Sequence, residues 1–241
     1  MTDCRLGVLA FGDSITNGGG ELQWGVALQS WALWVARALG LPYSGYAADG
    51  ATARDVVAEQ IPAWRAAAGD GARYDVGCLY VGVNDVRGFG WDANAYARDV
   101  AATLRVLRDV CTRVLVPTIP LDLGRPRAGA KVEEANVVIE SSAQAVGALV
   151  VDLRDFGARN HVMVDHVHPT AFGQVAMAER ALRVLEADGV RVGVRPSSLL
   201  RWEETRWRRL RGDATYAYRH AKVSLRAAAL VARFRVLGPP A

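Results

Sequence analysis

The sequence predicts a single α/β domain in which helices cover both faces of a five-stranded parallel sheet, followed by a basic helical extension. Three observations predict it. Short apolar runs alternate with longer stretches of helical periodicity over residues 1–190, the signature of strand–helix units in a parallel sheet. A chain of 241 residues, 51% hydrophobic and 22% charged, can bury a full core and has an ordinary globular composition. The polar motifs follow predicted strands, so they collect at the carboxyl edge, where such sheets bind ligands.

Residues 6–11 form the first apolar run and residues 27–39 a helix closed by Gly40. A second strand is expected over 43–46. Residues 52–68 follow as a helix that Pro62 should kink or restart, because proline lacks the N–H a helix interior uses. A third strand is placed at 76–81. Residues 93–110 carry Val100, Leu104 and Leu107 at helical spacing. Residues 114–116 make a short fourth strand stopped by Pro117, and 118–131 form a loop with two prolines. Residues 132–146 are helical, 149–153 form the fifth strand, and 171–185 form the closing helix.

Four short segments carry the chemistry: Phe11-Gly12-Asp13-Ser14, Asp49-Gly50, Gly82-Val83-Asn84-Asp85 and Asp165-His166-Val167-His168-Pro169. The first three each follow a predicted strand, and the last lies in the loop after the fifth. Taken singly, each has a plain structural use. Ser14 can cap a helix, Asp-Gly and Asn-Asp favour turns, and a loop histidine is usually just solvated. Together they supply a serine, a glycine amide, an asparagine amide and an Asp-x-x-His pair, the parts that serine-based acyl transfer needs. No Gly-x-Ser-x-Gly elbow is present, which sets aside the usual α/β-hydrolase arrangement.

In this order the four segments resemble the blocks of the SGNH, or GDSL, hydrolase superfamily of esterases and lipases, over roughly residues 5–188. The resemblance implies a flavodoxin-like sheet, which fits the count of five strands. It also implies Ser14 as nucleophile, His168 as general base and Asp165 as the carboxylate that orients it. Ser14 N–H, Gly50 N–H and the Asn84 side chain would form the oxyanion hole. The expected reaction is cleavage of a small-molecule carboxylic ester through an acyl-enzyme, with no cofactor. Two other readings stay open: an acyltransferase using the same site, and a non-catalytic module that keeps the fold and docks through its basic tail. Asp13 and Asp85 read as loop braces, and Phe89 and Trp91 as candidate walls of the substrate pocket. His161 and His166 rival His168, but only His168 stands three residues after the aspartate. The three histidines lack the spacing of a familiar metal site, so no metal is expected.

Gly88-Phe89-Gly90-Trp91-Asp92-Ala93 fits the dinucleotide pattern G-x-G-x-x-A in letters. Its first glycine lies several residues beyond the strand, and no clear acid ends the next strand, so nucleotide binding is not expected. Trp31 and Trp34, one helical turn apart, read as core. Cys4, Cys78 and Cys111 are odd in number and widely spaced, which fits reduced thiols in a cytoplasm better than a disulfide framework. The N-terminus runs straight into the first apolar segment without the three-part pattern of a signal peptide. Charge is uneven: residues 191–241 hold 12 Lys/Arg against 3 Asp/Glu, and the other 190 hold 17 against 22. The mildly acidic catalytic region argues against a nucleic-acid groove there. On a helical plot, Arg219, Lys222, Arg226 and Arg233 share one side of the extension, beside Val223, Leu230, Val231 and Phe234. Such a helix can pack on the acidic domain or a second subunit, or touch an anionic membrane or acidic partner.

Overall fold

The computed structural model describes residues 5–20, 26–69, 71–124, 128–158 and 161–200, and beyond them 205–207, 210, 213, 214, 217, 218, 221, 222, 224–226, 228 and 229. Five parallel strands form one sheet: β1 (Val8–Gly12), β2 (Tyr43–Gly45), β3 (Tyr74–Tyr80), β4 (Cys111–Pro117) and β5 (Leu149–Val151), in the order β2-β1-β3-β4-β5. This is the flavodoxin-like order, reversing direction between β1 and β3. The three inner strands lie under helices, and β1 is buried at every position. Its register pairs Val8 with Val76 and Gly12 with Tyr80 on one side, and Val8 with Tyr43 on the other.

The helices are α1 (Ser14–Asn17), α2 (Trp31–Leu39), α3 (Ala53–Asp55), α4 (Ile61–Ala68), α5 (Val83–Arg87), α6 (Ala93–Val110), α7 (Lys131–Val146) and α8 (Ala171–Ala187). Helices α2 and α8 pack together, as do α6 and α7, giving the expected layers on either side of the sheet. Trp31 and Trp34 of α2 are buried in the core, as is Cys78 of β3.

Several boundaries differ from the sequence reading for local reasons. Helix α2 starts at Trp31 rather than residue 27 because Ser30 caps it, its Oγ accepting from Leu33 N at 3.1 Å. The restart expected at Pro62 takes the form of a π-helical turn, Val56–Gln60, that leads directly into α4 with Pro62 in its first turn. The wider turn spares the N–H that Pro62 cannot donate. Strand β4 begins at Cys111, immediately after α6, and so is longer than the expected 114–116. Strand β5 ends at Val151 because the Leu153 amide turns to Thr118 Oγ1 at 2.8 Å.

Residues 191–200, grouped with the extension by their charge, pack on the domain. Gly193 and Val194 amides donate to Ala38 O, and Arg195 pairs with Glu179 and Glu186 of α8. A 3₁₀ turn, Pro196–Leu199, follows. The described positions between 206 and 229 have helical backbone except Thr205 before them. Cys4 and the expected apolar partners Val223, Leu230, Val231 and Phe234 lie outside the described residues. Among the described residues, no helix is long and apolar enough to cross a membrane.

Candidate active site

The reversal of strand order parts the loops after β1 and β3 and opens a crevice at the carboxyl edge. Ser14 follows β1 and Asn84 follows β3. Between strand and serine the chain turns at Gly12, whose φ of +148° and tight setting exclude a side chain: a Cβ there would lie 2.2 Å from Tyr80 O. Asp13 then caps α1, accepting from Ile15 N at 2.9 Å. Ser14 is thus the first residue of the helix, where its own amide has no partner within the helix.

The turn is held from a distance by two buried glutamines that sequence reasoning missed. Gln60, on the π-helical turn, accepts from Gly12 N at 2.9 Å and donates to Gly12 O at 2.8 Å. Gln174 of α8 accepts from Trp31 N at 2.7 Å and donates to Ile15 O at 2.9 Å and Gly19 O at 3.2 Å. A third carboxamide, Asn136, serves Ile119 N and O in the same way at the end of β4. Each satisfies backbone groups that no strand or helix reaches. The only advance signal was a polar residue at an otherwise apolar helix position.

The histidine comes from a tight loop closed by the Val162–Pro169 bridge. Asp165 organises it: Oδ1 accepts from Val167 N at 2.9 Å and His168 N at 3.0 Å, and Oδ2 meets His168 Nδ1 at 2.7 Å. His166 adopts a φ of +56°, alone among described non-glycine residues. The loop therefore turns through a left-handed residue. His168 Nε2 then lies 2.8 Å from Ser14 Oγ. His161 is elsewhere, its ring stacked on Phe156, and burial lowers its pKa. No group of three metal-ligating side chains occurs among the described residues.

Two links bring the other predicted donors alongside. Asp49 Oδ1 accepts from Asn17 Nδ2 of α1 at 2.9 Å, and Asn84 Nδ2 donates to Ala51 O at 3.0 Å. Gly50 sits between those two anchors. Its φ of +78° explains the glycine, since a Cβ there would meet nothing within 4 Å. Glycine adopts this left-handed conformation without strain. The bond to Ala51 fixes the Asn84 amide and leaves its second N–H for a ligand. Asp85 accepts from Ala53 N at 3.1 Å and so braces the same loops.

Electrostatics divide the site. The hydrogen bond from Asp165 raises the His168 pKa, against the opposing effect of burial. Burial pushes Asp165 upward, but its bonds to His168 and Val167 outweigh that and hold it below the usual carboxylate range. Asp13, fully buried, is pushed up to about 7, and Asp85 to about 6, both by burial. A cavity of about 240 Å³ lies beside Asn84, lined among others by Thr52, Arg54, Asp92, Trp91 and Asp99. Trp91 walls it, its indole N–H donating to Glu134 at 2.6 Å. Phe89 is 63% exposed and does not line it. A larger cleft of about 690 Å³ near Leu121 and Phe156 contains none of the predicted site residues. The glycine pair Gly88 and Gly90 follows α5, not a strand, so the dinucleotide geometry is missing.

The fold is similar to that of Axe2, an acetylxylan esterase from Geobacillus stearothermophilus. The identity is 20% and the TM-score 0.58, over 78% of this chain and 99% of that one. It is also similar to LAE5, an alpha/beta hydrolase from the metagenome of Lake Arreo, Spain, with 18% identity and a TM-score of 0.60, over 77% and 98%. Solved catalytic mutants of Axe2 replace a serine, an aspartate or a histidine by alanine. Its aspartate and histidine are three positions apart, as Asp165 and His168 are here. No curated protein is significantly similar. Residues 10–176, from the middle of β1 into α8 and including the Ser14 turn, Asn84 and the Asp165–His168 loop, match the GDSL-like lipase/acylhydrolase family, and the chain belongs to it.

Proposed function

We propose that the protein hydrolyses carboxylic esters through an acyl-enzyme on Ser14. The observation that carries this is the continuous line from Ser14 Oγ to His168 Nε2 at 2.8 Å and from His168 Nδ1 to Asp165 Oδ2 at 2.7 Å. Asp165 is acceptor-only when ionised, so it selects the tautomer with the proton on Nδ1. Nε2 is then free to take the serine proton. As Ser14 Oγ attacks the ester carbonyl, His168 becomes an imidazolium, which the Asp165 carboxylate stabilises. The carbonyl oxygen gains negative charge and takes hydrogen bonds from Ser14 N–H, Gly50 N–H and Asn84 Nδ2. His168 then protonates the departing alkoxide, so an alcohol leaves and Ser14 carries the acyl group. Water attacks that ester, giving its proton to His168, and the tetrahedral species collapses to release the acid and restore Ser14.

The alcohol half is read as a polyhydroxylated one. The cavity beside Asn84 offers carboxylates, Thr52 and Arg54 for hydroxyl groups and the Trp91 ring as a face. Such a lining suits a sugar better than a long acyl chain, and Axe2 acts on an acetylated polysaccharide by its description. The test pairs a fluorophosphonate probe with a panel of acetylated sugars, acyl-CoA and p-nitrophenyl esters from acetate to palmitate. Labelling at Ser14 and turnover are expected, acetyl esters being favoured. A folded protein that takes no label refutes the enzyme reading and leaves a binding module. Label without hydrolysis, but with acyl transfer to an added acceptor, makes it a transferase.

A further inference from the structure

We infer that the C-terminal extension is an interfacial helix that docks on an anionic lipid bilayer. Its described positions between 206 and 229 are helical, and at 100° per residue the apolar ones among them fall on one stripe, on the other side of the basic row from Val223, Leu230 and Phe234. Trp207, Leu210, Ala214, Tyr218, Ala221 and Leu225 make up most of it, over about 27 Å at helical rise. In a folded domain such a stripe would be covered, yet here Trp207 is 74%, Tyr218 68% and Leu225 72% exposed. The domain does not need it. Its core takes in Val190, Val192 and Leu200 at this end and none of the stripe residues. Lys222 and Arg226, both exposed, border the stripe, and the sequence places Arg208, Arg219 and Arg233 on the same border.

Charge selects the occupant. Residues 201–241, beyond the part that packs on the domain, hold 10 basic against 3 acidic groups. A second copy of the same helix would bring two such borders together where water is excluded, so like charges would oppose the apolar gain. An anionic bilayer satisfies both features at once. Leu and Ala sink into the acyl boundary, Trp and Tyr sit at headgroup level, and the basic border reaches the phosphates. The arrangement lies in the plane of the surface and requires no spanning segment.

Flotation of the full chain with vesicles tests this. Vesicles of phosphatidylcholine containing about one third phosphatidylglycerol should carry the protein, vesicles of phosphatidylcholine alone should not, and salt should weaken the binding. Trp207→Ser with Leu225→Ser, and separately Lys222→Glu with Arg226→Glu, should each weaken binding about tenfold or more. Turnover of a soluble ester, or fluorophosphonate labelling if none is turned over, should be unchanged and verifies folding. Three results overturn the proposal: no binding to anionic vesicles, equal binding to both compositions, or variants that bind like the parent. A concentration-dependent dimer that the same substitutions dissolve, with no vesicle binding, would assign the stripe to a second copy.

Discussion

The two sides of the Ser14–His168 pair are held in opposite ways. The serine turn is stitched by distant parts of the chain, with Gln60 bonding both backbone groups of Gly12 and Gln174 reaching Ile15 and Gly19 from α8. The histidine loop holds itself, since Asp165 takes the amides of Val167 and His168 as well as the His168 ring. Long-range support makes the serine side part of the folding core. Local support lets the histidine side be set by a few residues. The position of Ser14 should therefore be sensitive to packing far away, and that of His168 mainly to Asp165.

The largest effects come from the reacting groups themselves. Ser14→Ala and His168→Ala should each lower kcat by about 10⁴-fold or more, with thermal unfolding nearly unchanged. His166→Ala should keep most activity, because the line from Ser14 to Asp165 runs through His168. If His166→Ala were the inactive variant and His168→Ala the active one, the assignment of the loop would be wrong. Next comes Asn84→Ala, expected to reduce kcat by about 10²–10³ with a smaller change in KM, as for loss of one oxyanion donor. A change confined to KM would place Asn84 in substrate binding only.

Substituting the supports separates the two sides more sharply. Gln60→Leu leaves the buried Gly12 N–H unpaired, while Gly12 O keeps the Ala48 amide. About 2 kcal/mol of stability should be lost, along with about tenfold in kcat as the serine turn relaxes. Asp165→Asn should lower the unfolding temperature at pH 7 less than Gln60→Leu does, since the charge is lost but a side-chain oxygen remains for the two loop amides. It should also lower kcat, though less than His168→Ala, because the amide can present an N–H to Nδ1 and favour the wrong tautomer. The pH profile supplies a second readout. His168 must be neutral to act, so kcat/KM rises with pH through its pKa, which Asp165 raises above the ordinary 6.5. In Asp165→Asn the ascending limb should move to lower pH. Equal losses of stability in both variants would erase the contrast.

The same contrast explains what could be read from the sequence. Asp165 and His168 are three residues apart, and the short loop that joins them sets their geometry, so the pair was legible as a pattern. The placement of Ser14, Gly50 and Asn84 was legible because each follows a predicted strand, and the parallel sheet delivers those ends to one edge. The continuous apolar character of Val8–Phe11 also made β1 legible. Gln60 was not, because its role depends on a π-helical turn that brings it to a residue 48 positions away. Its place at an otherwise apolar helix position marks it as buried but not as a partner of Gly12. Gln174 pairs across 159 positions with Ile15 and was hidden for the same reason. The left-handed turn at His166 was hidden because histidine, though enriched among the non-glycine residues that adopt that conformation, does so only rarely.

The smallest expected effect concerns the two carboxylates, whose pH dependences should run in opposite directions. Asp165 has a folded pKa below its unfolded one. Its stabilising contribution is therefore present above the unfolded value, near 3.9, and is lost as pH falls through the folded value. Asp13 is the reverse. It is fully buried, one carboxylate oxygen bonds Ile15 N, and the other has no hydrogen-bond partner among the described residues. Burial carries its pKa from 3.8 to about 7, against the Ile15 amide and the attraction of His168. Between those two values the folded protein holds a proton that the unfolded chain has lost. Stability from this group consequently falls as pH rises from about 4 to about 7. Asp13→Asn keeps an oxygen for Ile15 N and removes the ionisation. The shift corresponds to roughly 4 kcal/mol, but the new amide N–H groups also need partners, so a gain of about 2 kcal/mol above pH 7 is expected. Near pH 4 the variant and parent should be closer in stability. Chemical denaturation of both across this range is the measurement. A stability difference independent of pH would mean that Asp13 does not titrate in the folded protein between pH 4 and 7, and the serine side would then lack the opposite pH dependence that sets it apart from Asp165.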